Sequence, residues 1–241
     1  MAVVESLTSY TTSRRGFFKI TGAAGLGLAL AQAGTLSALA ASDESIQNII
    51  DIAATAEALA VTLTGAVLAG AAKYDGGKGL SPLLVTVIKA IQAEEQDHYT
   101  FLTGAGAKPL TLTFTVPQNL LAITNDSKAL LNFVQAAETI FIGAYLAAAQ
   151  EFTNLGHPEL SQIAYQIGGV ECEHRVLANF GLGISPPNNL GFEQALYHNV
   201  AEAAAAVKQL GLLGTPNPAA TLSYSAFSGS VDHTGIGHES P

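Results

Sequence analysis

The sequence predicts an all-α protein: a four-helix bundle with a long crossover between its second and third helices and an additional C-terminal helix. Three observations point there. The pattern Glu-x-x-His occurs twice, as Glu95-Gln96-Asp97-His98 and Glu171-Cys172-Glu173-His174. Each copy follows a lone carboxylate inside an apolar run, Glu57 before the first and Glu138 before the second. The four long apolar segments that carry these residues group as two hairpins, separated by one long link. Residues i and i+3 project from one face of a helix, so each Glu and His can grip the same ion. Four carboxylates and two histidines, supplied by two similar halves, form the ligand set of a dinuclear iron or manganese centre in a helical bundle.

The N-terminus reads as an address and not as part of the fold. Ser13-Arg14-Arg15-Gly16-Phe17-Phe18-Lys19 has the form of a twin-arginine export signal, and an apolar stretch rich in Gly and Ala follows from Ile20. Ala38-Leu39-Ala40 supplies a small-x-small cleavage site, so residues 1–40 are expected to be removed and the protein to work in the periplasm or outside the cell. An uncleaved anchor is the alternative reading, because about 20 apolar residues span a bilayer. The route carries proteins that are already folded, which suits a cofactor inserted in the cytoplasm.

The chain of 241 residues has 10 Lys and Arg against 19 Asp and Glu, a net charge of −9. Cleavage would remove Arg14, Arg15, Lys19 and Glu5 and leave the remainder more acidic still. So acidic a surface has no electrostatic footprint for nucleic acid. With Cys172 as the one cysteine, no intrachain disulfide can form.

Residues 41–185 are expected to hold the four helices. The first runs from about Ser45 to Lys73 and stops at Asp75-Gly76-Gly77; the second opens at Ser81-Pro82, a capping residue followed by proline in the first turn, and reaches about Thr103. The third starts after Asn125-Asp126 and ends near Gly156; the fourth begins at Pro158 and fades at Gly181-Leu182-Gly183 before Pro186-Pro187. Short turns within each pair make antiparallel hairpins. Between the pairs lie about 20 residues, from Gly104 to Ile123, a length unusual inside a compact domain. Parallel second and third helices require it, since the chain must return along the bundle. Within it, Leu110 to Val116 alternates apolar and polar residues, as an extended segment does, and covers roughly 23 Å at about 3.3 Å per residue. Residues 186–241 are expected to add a fifth helix, from about Leu190 to Leu213 with Phe192, Leu196, Val200 and Val207 on one side, and then a loosely docked tail. Asp51 and Glu57 argue against a transmembrane role for the apolar first helix, so no stable membrane span is expected after cleavage.

Neighbours on the helical face indicate where the carboxylates point. One and two turns either side of Glu57 stand Ile50, Ala53, Val61 and Thr64; around Glu138 stand Leu131, Val134, Ile142 and Tyr145. Glu95 has Ile88, Ile91, Tyr99 and Leu102, and Glu171 has Ala164, Ile167, Arg175 and Ala178. These are largely core-facing stripes. Unpaired carboxylates there would cost several kcal/mol or stay protonated, whereas two divalent cations balance four negative charges. Glu94, Asp97 and Glu173 fall off the stripe centre and read as solvated residues or as partners for a ligand's second ring nitrogen. Tyr99 and Tyr145 read as packing residues, Cys172 as a small buried hydrophobe, His157 as a helix cap, His198 as part of the fifth helix, and His233 and His238 as tail residues.

The segment Ile91-Gln92-Ala93-Glu94-Glu95-Gln96-Asp97-His98, followed by Phe101-Leu102 and a Gly-Ala-Gly-Ala-Lys-Pro turn, resembles exported ferritin-like domain proteins. These are related to plant desiccation-related proteins and more distantly to ferritins, bacterioferritins and manganese catalases. The resemblance covers about residues 45–180. It implies metal ligation by Glu57, Glu95 and His98 from one hairpin and Glu138, Glu171 and His174 from the other. Glu95 and Glu171 would be bridging carboxylates, and Glu57 and Glu138 terminal ones. The expected long fifth helix departs from the short one of cage-forming ferritins, which argues against a storage cage.

Two functions follow as expectations. The first is a dinuclear iron or manganese protein that takes dioxygen or peroxide as its small substrate, through ferrous oxidation or peroxide disproportionation. The second is non-enzymatic: a stress, desiccation-related or envelope scaffold with structural metal or none. The choice between iron and manganese, and self-association into a homo-oligomer, are left open by the sequence.

Overall fold

Ser45 opens the bundle by accepting a hydrogen bond from the Asn48 amide at 3.2 Å, and α1 runs Ile46–Gly70. The computed structural model describes residues 45–229 and residue 231; the expected signal at residues 1–40, and His233 and His238, lie outside the described residues. A 3-10 turn, Ala71–Lys73, carries α1 to the predicted stop. There Asp75 and Gly76 take positive φ values of 52° and 71° and reverse the chain. The Ser81 hydroxyl caps α2 (Pro82–Gly104) by accepting from the Leu84 amide. Asp126 caps α3 (Ser127–Asn154) through the Ala129 amide at 2.6 Å. The last bundle helix, α4, spans Pro158–Gly181. His157 occupies its N-cap position but caps nothing with its ring, whose Nδ1 pairs with Glu159 Oε1 at 2.9 Å. The packing pairs are α1 with α2 and α3 with α4, as the short turns require.

The crossover is tied down at both ends of α1. Near its start, Asp51 Oδ1 accepts from the Lys108 amide at 2.6 Å and Thr55 Oγ1 from the Leu110 amide at 2.8 Å. At its far end the buried Tyr74 hydroxyl donates to the Ile123 carbonyl at 2.6 Å, and Asp75 N donates to the Asn125 carbonyl. The Asp75 carboxylate in turn accepts from the amide and hydroxyl of Ser127, the first residue of α3. Asp51 to Gly70 covers roughly 28 Å at about 1.5 Å per helical residue. The link therefore traverses the bundle, as the parallel arrangement of α2 and α3 demands. Its extended part is β1 (Thr113–Val116), followed by a 3-10 stretch, Gln118–Thr124.

The C-terminal part differs from the sequence reading in two ways. The fifth helix, α5, spans only Val200–Gln209, capped by Asn199. Residues 190–199 hold other contacts instead: Glu193 pairs with Arg175 of α4, and the Tyr197 ring lies where a side chain at Gly143 would have to go. Phe192, placed on an inward stripe by its spacing, is 92% exposed, and His198 precedes the helix. The tail is also not loose among the described residues. β2 (Ala220–Ser223) pairs antiparallel with β1, Phe114 opposite Leu222, over a Phe114 side chain that is 0% exposed. An alternating segment is readable in the crossover; its partner, more than 100 residues later, alternates as well (Ala220-Thr221-Leu222-Ser223-Tyr224-Ser225), a signal the sequence reading passed over in treating this stretch as tail.

Two apolar layers bracket the middle of the bundle. Ile49, Tyr145, Phe152 and Ile167 fill one end, and Val67, Tyr74, Ile88 and Leu130 the other. Among the described residues, two stretches, Ile46–Gly77 and α3, are long and apolar enough by length and composition to cross a membrane; both pack within the bundle, and each carries a buried glutamate.

Tyr74→Phe keeps the ring but strands the buried Ile123 carbonyl. The expected loss is about 1–3 kcal/mol, read as a lowered denaturation midpoint, with amide exchange accelerated first in the crossover residues 118–126.

Candidate metal centre

Between those layers, all six predicted residues converge. Glu57 comes from α1, Glu95 and His98 from α2, Glu138 from α3, and Glu171 and His174 from α4. They form two overlapping groups, Glu57–Glu95–His98–Glu171 and Glu95–Glu138–Glu171–His174, within each of which one donor atom per residue lies within 4.8 Å of the others. Glu95 and Glu171 belong to both. Each turns one oxygen to each histidine: Glu95 Oε2 is 3.8 Å from His98 Nδ1 and its Oε1 3.3 Å from His174 Nδ1. Glu171 Oε1 lies 3.7 Å from His98 Nδ1 and its Oε2 3.1 Å from His174 Nδ1. Glu57 Oε2 stands 3.4 Å from His98, and Glu138 Oε1 3.8 Å from His174.

The hydrogen-bond ledger tests whether a cation fits. Glu57 Oε2, both oxygens of Glu95, Glu138 Oε2, Glu171 Oε1 and His98 Nδ1 are buried with no hydrogen-bond partner. Orphaned buried polar atoms cost on the order of 1–3 kcal/mol each, more when charged. Arg175, the buried Lys or Arg among the described residues, is turned to Glu193 and compensates none of them. Oxygen donors with two imidazoles, all facing one space, could hold a metal ion.

Electrostatics agree. Burial, then the charge of Glu95, pushes the Glu57 carboxyl well above the usual range; burial, then Glu171, does the same to Glu138. For Glu95, burial is outweighed by the His174 and His98 imidazoles that face it, which hold its carboxyl below that range. Burial would lower His98 and His174, but carboxylate partners, Glu57 first for His98 and Glu171 first for His174, push both up.

Two further residues belong to the site. His174 Nε2 donates to Glu94 Oε2 at 2.8 Å, a carboxylate of α2 reaching across to α4. With one proton held there, loss of the other on metal uptake leaves the Nδ1 lone pair facing the cluster. The sequence had offered Glu94 as such a partner without favouring it, because it lies off the stripe. Tyr145, read as a packing residue, donates its hydroxyl to Glu57 Oε1. Gly168 of α4 makes room for it, since a Cβ there would sit 3.0 Å from Tyr145 Cβ. Burial, then the nearby Glu57 charge, pushes the tyrosine hydroxyl well up, so it stays a donor. Cys172 is half-buried and not fully enclosed as predicted; burial and Glu193 raise its thiol to about 11. On the outer side of α2, Gln96 Oε1 accepts from the Tyr224 hydroxyl at 2.9 Å and from the Phe227 amide at 3.0 Å, and the Tyr224 ring rests on Tyr99.

Fold and site together define a helical-bundle protein with a carboxylate–histidine cluster able to hold metal. The ferritin-like domain family matches residues 45–183, and the chain belongs to that family. Comparison with curated proteins and with solved structures yields no match. Because α5 is short, the contrast in fifth-helix length with cage-forming ferritins lapses.

Metal uptake should release protons. Glu57 and Glu138 are raised above the ordinary carboxyl value and the histidines above the ordinary imidazole value, so the metal-free folded site binds more protons than the unfolded chain. These groups therefore favour the metal-free fold at low pH and cost it stability as pH rises, while metal affinity moves the other way. Calorimetric titration with ferrous or manganous ion in buffers of differing ionisation enthalpy should show net proton release and affinity weakening from roughly pH 8 to roughly pH 6. Glu94→Ala should lower metal affinity by about 10- to 100-fold without unfolding the protein, checked by titration alongside circular dichroism.

Proposed function

We propose that the protein is an exported dinuclear iron or manganese protein whose centre reacts with dioxygen or hydrogen peroxide, in ferrous oxidation or peroxide disproportionation. The observation that carries this reading is the sharing of Glu95 and Glu171, one oxygen of each toward each histidine. Two cations in those positions would supply two-electron redox chemistry toward a bound oxidant. The chain's own groups prepare the rest. Glu57 and Glu138 cap the two ends of the cluster, Glu94 holds the proton of His174 Nε2, and Tyr145 keeps a donor on Glu57 Oε1. The apolar layers above and below limit water, and the His98 side chain, 13% exposed, is the edge nearest solvent, where a small polar oxidant would enter. Export through the twin-arginine route is supported by Ser13–Lys19 and Ala38-Leu39-Ala40 and agrees with a centre assembled before translocation.

Elemental analysis of protein matured through its own export route tests the reading. About two iron or manganese ions per chain are expected, together with consumption of ferrous ion or peroxide. Glu95→Ala and Glu171→Ala should each lose both. Fewer than about one ion per chain, unchanged in Glu95→Ala, overturns it. Equal thermal stability with and without chelator would favour the scaffold function instead.

A further inference from the structure

A cavity of about 110 Å³ adjoins the carboxylate cluster. Its walls extend from Glu95, Glu138 and His174 to Tyr74, Leu84 and Leu130, at the end of the bundle where α1 turns into α2. Apart from the cluster residues, the lining is aliphatic or aromatic except for three hydroxyls, and each of these already donates to a backbone carbonyl. Thr64 donates to Ala60 at 2.7 Å, Tyr74 to Ile123 at 2.6 Å and Thr124 to Leu121 at 2.8 Å. Away from Glu95, Glu138 and His174, whose open acceptors are confined to the cluster end, a polar guest would find the wall's donors engaged and lose its own hydration without return. Apolar cavities of about 150 Å³ stay dry and take up benzene-sized molecules, and this one approaches that size. On its outer wall, Leu84 and Val87 of α2 are half-buried and Leu177 of α4 is 40% exposed. Leu83, next to Leu84, and Phe180, one turn beyond Leu177, are exposed as well, so the surface beside this wall is apolar.

We infer that this cavity is a binding site for a small apolar molecule, a hydrocarbon of about five or six carbons, held with one side against Glu95, Glu138 and His174 and entering between α2 and α4. The inference goes beyond the metal reading and does not rest on it, because the aliphatic walls come from the helices whatever the carboxylates hold. In both metal-free and metal-loaded protein, the guest occupies the side of the cluster away from Glu57 and Tyr145.

Methyl-resolved NMR of the full-length mature chain, titrated with benzene and separately with glycerol as a polar control of equal heavy-atom count, tests it. Benzene should produce saturable shifts in the methyls of Leu59, Val67, Ile88 and Leu130, and glycerol none. Ala178→Leu and Ala60→Leu each project new methyls into the cavity and should weaken benzene binding by at least about tenfold, with metal content kept. Two variants on different helices guard against one misfolding. Benzene shifts confined to surface methyls such as those of Leu83 and Leu110, no shifts at all, or undiminished binding in both folded variants would overturn the assignment.

Discussion

Glu57, Glu95, Glu138 and Glu171 repel one another, and each has surrendered nearly all contact with water. Among the described residues no lysine or arginine pairs with them, so the apolar interior offers only protons, the two histidines or cations as compensation. That constraint organises the surroundings. The histidines come from the same turns as the two shared carboxylates, Tyr145 and Glu94 take up what the cluster leaves over, and continuous apolar layers at either end keep the helices from splaying. The packing energy of those layers is what holds like charges together, and anything that neutralises the cluster relieves the strain they bear.

The two halves of the bundle are similar in pattern but not in environment. His174 is fully enclosed and backed by a carboxylate from the other hairpin; His98 lies closer to solvent. Tyr145 touches Glu57 on the His98 side, while the cavity touches Glu138 and His174 on the other. The local Glu-x-x-His repeat is therefore embedded in an asymmetric pocket, one half nearer solvent at His98 and the other walled by aliphatic side chains beside His174.

The parts of this arrangement that were legible in the sequence are those written in local periodicity. Glu57 and Glu138 were placed inward by their neighbours at one and two turns, and the helix ends by Ser45, Ser81, Asp126 and the glycines after Lys73 and Gly181. The crossover was legible from its length alone. What stayed hidden depends on contacts between distant segments. Glu94 lies off its own helix's stripe, and only the position of α4 makes it a partner for His174. Tyr145 sits on a core stripe where packing and hydrogen bonding look identical in sequence; Gly168 of the neighbouring helix decides between them. Phe192 matched a helical period by coincidence, because the Arg175–Glu193 pair and the seat for Tyr197 outweigh a helix start there.

The strand pairing of Phe114 with Leu222 also orders events in time. A chain made from its N-terminus exposes α1 to α4, with all six converging residues, well before Ala220–Ser223 leaves the ribosome. The segment that follows, through Tyr224 and Phe227, then lies across α2 at Gln96 and Tyr99, beside the first Glu-x-x-His turn. The bundle can gather its acidic interior first, and the final stretch of synthesis fastens a clasp over it.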